Sequence, residues 1–141
     1  VQAMAERYGE HPALALWHIS NELGCHNALC YCDASARAFR VWLRERYRTL
    51  DAVNQAWGTA FWSQRYGTWE DILPPRATRS AGNPAHLLDF KRFSSDALLA
   101  YYQAEEAVLR ERSRAPITTN LMVTAHIQTQ DYWSWAPHLD L

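Results

Sequence analysis

The chain has 141 residues, of which 48% are hydrophobic and 21% charged, and its net charge is −1. That is enough apolar material for one compact core, while the near-neutral balance excludes a general electrostatic pull toward nucleic acid or an anionic membrane surface. No apolar stretch approaches the roughly 20 residues of a membrane-spanning helix.

Residues 3–8 (AMAERY) read as the end of a helix that Gly9 stops. His11-Pro12 favours an extended or turning backbone. Leu14 to Ile19 is predicted as a short buried strand, because a nearly continuous apolar run suits a parallel strand covered on both faces. His18 is expected on it as a satisfied core histidine. The run stops abruptly at Ser20-Asn21-Glu22 and turns on Gly24. Asp33 is the expected N-cap of a helix over 34–47, with Ala38, Phe39, Trp42, Leu43 and Tyr47 on one face and Arg37, Arg40, Arg44 and Glu45 mostly on the other. Thr49 caps a short second helix on which Leu50, Val53 and Trp57 share a face, and Gly58 ends it. Residues 58–85 look irregular, and so long a segment inside a compact domain is usually functional. Asn83-Pro84 opens a long helix, about 85–112, with Phe90, Phe93, Ala97, Tyr101, Ala104 and Val108 as its apolar stripe. Pro116 breaks the chain, and Ile117 to Asn120 forms a second short strand that ends in an Asn. Residues 131–136 read as a short helix. Leu139 to Leu141 look like the first residues of a third strand.

Alternating helices and strands indicate an α/β fold with a parallel sheet. Doubly wound sheets and (β/α)8 barrels both satisfy that order. No Gly-rich phosphate loop follows either strand, which counts against a nucleotide fold. Polar residues at both strand ends favour a barrel, whose active site lies at the C-terminal ends of its strands. A complete barrel takes roughly 250 residues. Residues 1–141, which start at Val1, are therefore expected to be an internal fragment of one barrel domain, with no second domain in this chain.

A Glu at the C-terminal end of a barrel strand sits at the rim of the pocket. Desolvation by an apolar strand and nearby aromatics favours its protonated form, as a general acid requires. Glu22 is the candidate, and Asn21 beside it suits a hydrogen bond to a substrate hydroxyl. The bland alternative is that the dipeptide simply opens a loop. Glu70, Asp71 and Asp89 are read as solvated charges or caps. Seven Trp and seven Tyr fit either a core of large side chains or a surface whose flat rings cover the apolar faces of sugars. Asn120 and Met122, at the end of the second strand, are further candidates to face the pocket.

Several longer segments occur in a specific order: "WHISNELG" (17–24), "CYC" (30–32) before "AFRVWLRERY" (38–47), "LDAVNQAWGTAFWSQRY" (50–66), "ILPPR" (72–76), "NPAHLLDFKRFSSD" (83–96) and "ITTNLM" (117–122). With these the chain resembles glycoside hydrolase family 42 β-galactosidases along nearly its full length. The resemblance implies a retaining hydrolase acting on terminal β-D-galactosides on a (β/α)8 barrel, of which this chain is about strands 4 to 6. Glu22 matches the family's acid/base at the end of the fourth strand, and Asn21 the Asn that touches the sugar's 2-hydroxyl. Residues 117–120 would be the fifth strand and 139–141 the start of the sixth. The nucleophile, a second Glu on the seventh strand, would lie beyond Leu141. The aromatic loop of residues 58–70 would help form a subunit contact in a homo-oligomer, a trimer by resemblance, with Trp62 the candidate to reach a substrate in a neighbour's site. Ordinary packing of that loop onto its own barrel is the simpler reading. Related retaining barrel enzymes, such as arabinosidases or glucosidases, and a non-catalytic carbohydrate-binding domain remain as alternatives.

The resembled family often carries Cys-x-Cys-x-x-Cys at this place plus one Cys upstream, a closed four-thiolate zinc site. Here Ser35 stands in the third position, and serine is a poor zinc ligand. No cofactor or metal is therefore expected, although Cys25 and His26 leave a different set of four conceivable. Cys30 and Cys32 are expected as reduced, partly buried thiols of a cytoplasmic protein.

Overall fold

The computed structural model describes residues 1–27, 29–122 and 130–141. In chain order it contains α1 (Gln2–Tyr8), β1 (Trp17–His18), α2 (Asp33–Tyr47), α3 (Leu50–Trp57), α4 (Pro84–Arg110), β2 (Ile117–Thr118) and α5 (Tyr132–Trp135). Single 3-10 turns occur at Phe61–Ser63, Trp69–Asp71 and Ala136–His138. The chain divides into two compact units, one made of Val1–Ala28 with Ser94–Leu141 and the other of Leu29–Phe93.

In the first unit β1 and β2 pair in parallel, with Trp17 opposite Ile117 and His18 opposite Thr118. The Trp17 N–H donates to the Pro116 carbonyl and the Ile19 N–H to the Thr118 carbonyl, both at 2.8 Å. The parallel α/β arrangement expected from the sequence is present, but the strands are shorter. Leu14 to Leu16 lie outside β1, and of the run from Leu14 to Ile19 only Ile19 is buried. His18 is exposed rather than a core histidine. A parallel strand is buried on both faces only when other elements cover both, and the described sheet has two strands. Residues 139–141 do not form a third strand. The Asp140 N–H reaches the Ile117 carbonyl at 3.1 Å, but the Asp140 carboxylate takes the Ile117 N–H at 2.7 Å and an Arg110 N–H at 2.6 Å. A side chain thus occupies the donor that a neighbouring backbone carbonyl takes in a ladder.

The core of this unit is Ala5, Ile19, Leu23, Tyr102, Leu109, Ile117 and Trp135. Its buried Trp135 donates its indole N–H to Ser95 Oγ at 3.2 Å. Gly9 follows α1 as expected but for another reason. Its φ is −56°, so no left-handed cap forms. Instead, a Cβ there would collide with the Arg112 carbonyl oxygen. The glycine permits a close backbone approach.

In the second unit, α2 begins one residue earlier than predicted. Cys32, not Asp33, is its N-cap: Cys32 Sγ accepts the Ser35 N–H at 3.5 Å. Asp33 falls in the first turn, where its charge complements the helix dipole. Ala36, Phe39 and Leu43 form the buried face, while Ala38 is exposed. For α3 the local signals are met. Thr49 Oγ1 accepts the Ala52 N–H at 3.1 Å, and Gly58 closes the helix at φ 62°, in the left-handed region that favours glycine.

The core here is Phe39, Leu43, Val53, Trp57, Ile72, Phe90 and Phe93. The irregular segment after α3 is tied to it by a few side chains. Asn54, buried, accepts the Tyr66 N–H at 2.9 Å and donates to the Tyr66 carbonyl at 3.0 Å. Arg40 donates to the carbonyls of Ile72 and Glu70 at 2.9 and 2.8 Å. Asp71 and Thr68 form a capping box, and the Thr68 N–H foremost holds the Asp71 carboxyl below the usual carboxylate range. Asp89 is no solvated charge. It is 1% exposed, and it accepts from Tyr47 Oη at 2.6 Å, Trp57 Nε1 at 2.8 Å and Arg92 Nη1 at 3.0 Å. A buried carboxylate persists only with such partners.

Asn83 caps α4, its Oδ1 accepting the N–H groups of Ala85 and His86. Phe90 and Phe93 are buried as predicted, but the second half of the stripe is misplaced. Ala97, Tyr101 and Ala104 are exposed. The inward positions there are Ser95, Leu98, Tyr102 and Leu109, which share helical spacing one residue further round.

Candidate active site

The segment after β1 reverses direction through an unusual run of backbone. Ser20, Glu22, Gly24 and His26 have φ of 57°, 49°, 77° and 65°. Only glycine enters that region without penalty; each L-residue there costs roughly 1–2 kcal/mol. Such strain persists where surrounding contacts over-determine it, and here they are visible. The Glu22 N–H donates to Asn120 Oδ1 at 3.1 Å. The Cys25 N–H donates to the Glu22 carbonyl at 2.8 Å. Leu23 is buried in the first unit's core, and its carbonyl accepts from Gln130 Nε2 at 2.6 Å.

Glu22 is thus half-buried, four residues past the end of β1, and fastened by a side chain two residues past the end of β2. Asn21 is exposed beside it. Two adjacent parallel strands therefore deliver Asn21, Glu22 and Asn120 to one place, at the strand ends where barrel enzymes build their sites. The sequence suggested that Asn120 faces a pocket. Asn120 is exposed there, and its side-chain oxygen takes the Glu22 N–H. Gln130 was missed altogether, since nothing local marks a glutamine whose partner lies 107 residues away. Burial, and next the Glu22 carboxylate, push the Cys25 thiol up from its ordinary value. Cys25 Sγ also lies 2.6 Å from His26 Nδ1.

Trp62 belongs to the second unit. It is 73% exposed, lies at φ 54°, and stacks on Phe61 with ring centroids 4.7 Å apart. Tyr66 and Trp69 of the same loop pack against the second unit's core, whereas Phe61 and Trp62 are exposed.

Cys30 and Cys32 are exposed, not partly buried. Their sulfurs are 3.4 Å apart, and the Ser35 hydroxyl is 3.6 Å from Cys32 Sγ. Among the described residues no group of three or more His, Cys, Asp or Glu is arranged to hold a metal. Two thiols and a hydroxyl do not fit the closed tetrahedral sulfur site that structural zinc takes. Among the described residues no helix is long and apolar enough to cross a membrane.

The family model described as β-galactosidase, glycoside hydrolase family 42, matches residues 1–141. The chain belongs to glycoside hydrolase family 42. A β-galactosidase from Arthrobacter sp is 56% identical to it over 141 residues, covering 99% of this chain and 20% of the relative. Among solved structures, the β-galactosidase of the psychrophilic Marinomonas ef1 superposes with a TM-score of 0.91 at 41% identity, covering 99% of this chain and 21% of that one. A family 42 β-galactosidase from G. stearothermophilus, solved as a catalytic mutant in which a glutamate is replaced by alanine, gives 0.91 at 42% identity with the same coverage. This family 42 chain spans about a fifth of the length of the relatives it matches. Its fold is that of part of those β-galactosidases, consistent with a partial barrel.

Proposed function

We propose that the full-length protein is a retaining β-galactosidase and that Glu22 is its general acid/base. The observation that carries this reading is the placement of Glu22: just past the C-terminal end of a parallel strand, with its N–H tied to Asn120 beyond the neighbouring strand. Membership of family 42 supports the substrate class.

The chemistry follows from acetal hydrolysis. Protonated Glu22 donates to the glycosidic oxygen as the bond to the anomeric carbon breaks. A second carboxylate, supplied by the part of the protein outside this chain, attacks that carbon from the opposite face. In retaining enzymes the two carboxyl groups stand about 5–5.5 Å apart. Glu22, now ionised, takes a proton from water, and the water displaces the sugar with net retention. Asn21, exposed next to the acid, binds the 2-hydroxyl. In this reading β1 and β2 are the fourth and fifth barrel strands and 139–141 leads into the sixth. Exposed Trp62 contributes to substrate binding from a neighbouring subunit of a trimer. The enzyme works in the cytoplasm, where the three free cysteines of this chain stay reduced.

The test is hydrolysis of a panel of nitrophenyl glycosides by the full-length protein, with the first-formed sugar followed by proton NMR. Preference for the β-galactoside and initial release of β-galactose are expected. Preference for the arabinoside or glucoside, or initial release of the α-anomer, would overturn the reading.

A further inference from the structure

Because zinc does not fit at Cys30 and Cys32, the pair is open to other chemistry. The two sulfurs are in contact at 3.4 Å, with the Cys30 thiol donating to Cys32 Sγ. Both side chains are exposed. Tyr31 between them is anchored, its ring packed against Phe90 with centroids 5.4 Å apart. The pair is therefore held in register.

The two thiols are not equivalent. Cys32 is the N-cap of the 15-residue helix α2, and its sulfur accepts the Ser35 N–H. A helix N-terminus offers unpaired N–H groups and a positive dipole end, both of which favour an anionic sulfur. The Ser35 N–H, then its hydroxyl and then the Cys30 thiol bring Cys32 down to about 7. Cys25 moves the opposite way.

We propose that Cys32 and Cys30 form a peroxide-reactive dithiol, with Cys32 the attacking thiolate and Cys30 the resolving thiol. Hydrogen peroxide is the oxidant. The Cys32 thiolate attacks one peroxide oxygen, the O–O bond breaks, and the departing hydroxide picks up a proton to leave as water. Cys32 is then a sulfenic acid. The Cys30 sulfur attacks the Cys32 sulfur; the S–S bond forms, the S–O bond breaks, and the hydroxyl leaves as a second water with the Cys30 thiol proton. Two thiols and one peroxide thus give one disulfide and two waters, and the two electrons that reduce the peroxide come from the sulfurs. The disulfide is a poorer acceptor than a thiolate, so oxidation also weakens the cap on α2.

The experiment uses the full-length protein, reduced, freed of reductant and exposed to a small molar excess of hydrogen peroxide, with peptide mass mapping after alkylation. The peptide carrying Cys30 and Cys32 should lose two hydrogens, and dithiothreitol should restore them. In Cys30→Ser a sulfenic acid should accumulate at residue 32 and be trapped by dimedone. In Cys32→Ser, Cys30 should oxidise at least tenfold more slowly. In the unsubstituted protein, Cys32 should alkylate at pH 7 about fivefold faster than a thiol of ordinary acidity, since its larger thiolate fraction outweighs its lower intrinsic nucleophilicity. The proposal is overturned if both thiols stay free, if only intermolecular disulfides form, if the two single variants oxidise at equal rates, or if the purified protein holds one zinc per chain that thiol modification releases.

Discussion

Asn120→Ala isolates the contact on which the geometry of Glu22 depends. The side chain supplies one hydrogen bond, 3.1 Å long, to the Glu22 N–H. Its loss costs about 1 kcal/mol net. Because Glu22 sits at φ 49°, releasing that bond also lets the backbone relax from a conformation worth roughly 1–2 kcal/mol of strain. The two terms are of similar size, so the folded state barely changes in stability while the carboxyl loses its fixed position. A displacement of about 1 Å can cost a catalytic group a factor of about 100. We therefore expect kcat of the full-length protein to fall about tenfold to hundredfold, with KM nearly unchanged and the melting temperature within a few degrees. The assay is steady-state hydrolysis of a β-galactoside, repeated in a Glu22→Gln background with an activated aryl substrate. If Asn120 acts through Glu22, its removal should add little to the second variant. An undiminished, fully multiplicative loss in that background would refute a role through Glu22.

Three further perturbations probe the scaffold. Burial lowers the pKa of His86, outweighing its bond to the Leu73 carbonyl. Its neutral form is the folded one, so its effect is absent above pH 6.5 and stability falls as pH drops below that; melting curves from pH 7 to 5 should show this slope, and His86→Gln should flatten it. Asp89→Ala strands Tyr47, Trp57 and Arg92 without their shared acceptor and should cost about 3 kcal/mol, read as a lowered denaturant midpoint. Gly9→Ala drives a methyl into the Arg112 carbonyl and should destabilise by about 1–3 kcal/mol; an unchanged melting temperature would show that the backbone approach is not tight.

The features legible in the sequence were those whose causes are local. Thr49 and Gly58 bracket α3 because a hydroxyl and a Cβ-free residue satisfy helix ends within a few residues. The opening of α4 at Asn83-Pro84 is of the same kind. What depends on distant partners was misjudged. The length of β1 is set by what lies beside it, so an apolar run from Leu14 gave a strand of two residues. Asp89 looks like any surface carboxylate until Tyr47 and Trp57 are brought to it from 42 and 32 positions away. The inward face of α4 was shifted by one residue because Tyr101 and Tyr102 are equally plausible by composition; Tyr102 is the buried one. At the site, Asn21-Glu22 stood out as a polar stop to an apolar run. The tether from Asn120 could not be read, since it exists only once β1 and β2 are paired.

The most direct measurement is the dependence of Glu22→Gln activity on the leaving group in the full-length protein. An alkyl galactoside needs a proton on its departing oxygen, whereas a dinitrophenyl galactoside does not. Loss of a proton donor predicts that turnover of the alkyl substrate falls by about 10²–10⁴-fold, while first-step cleavage of the activated substrate is largely spared. Equal losses on both substrates, or full activity on the alkyl galactoside, would contradict the assignment of Glu22 as the acid.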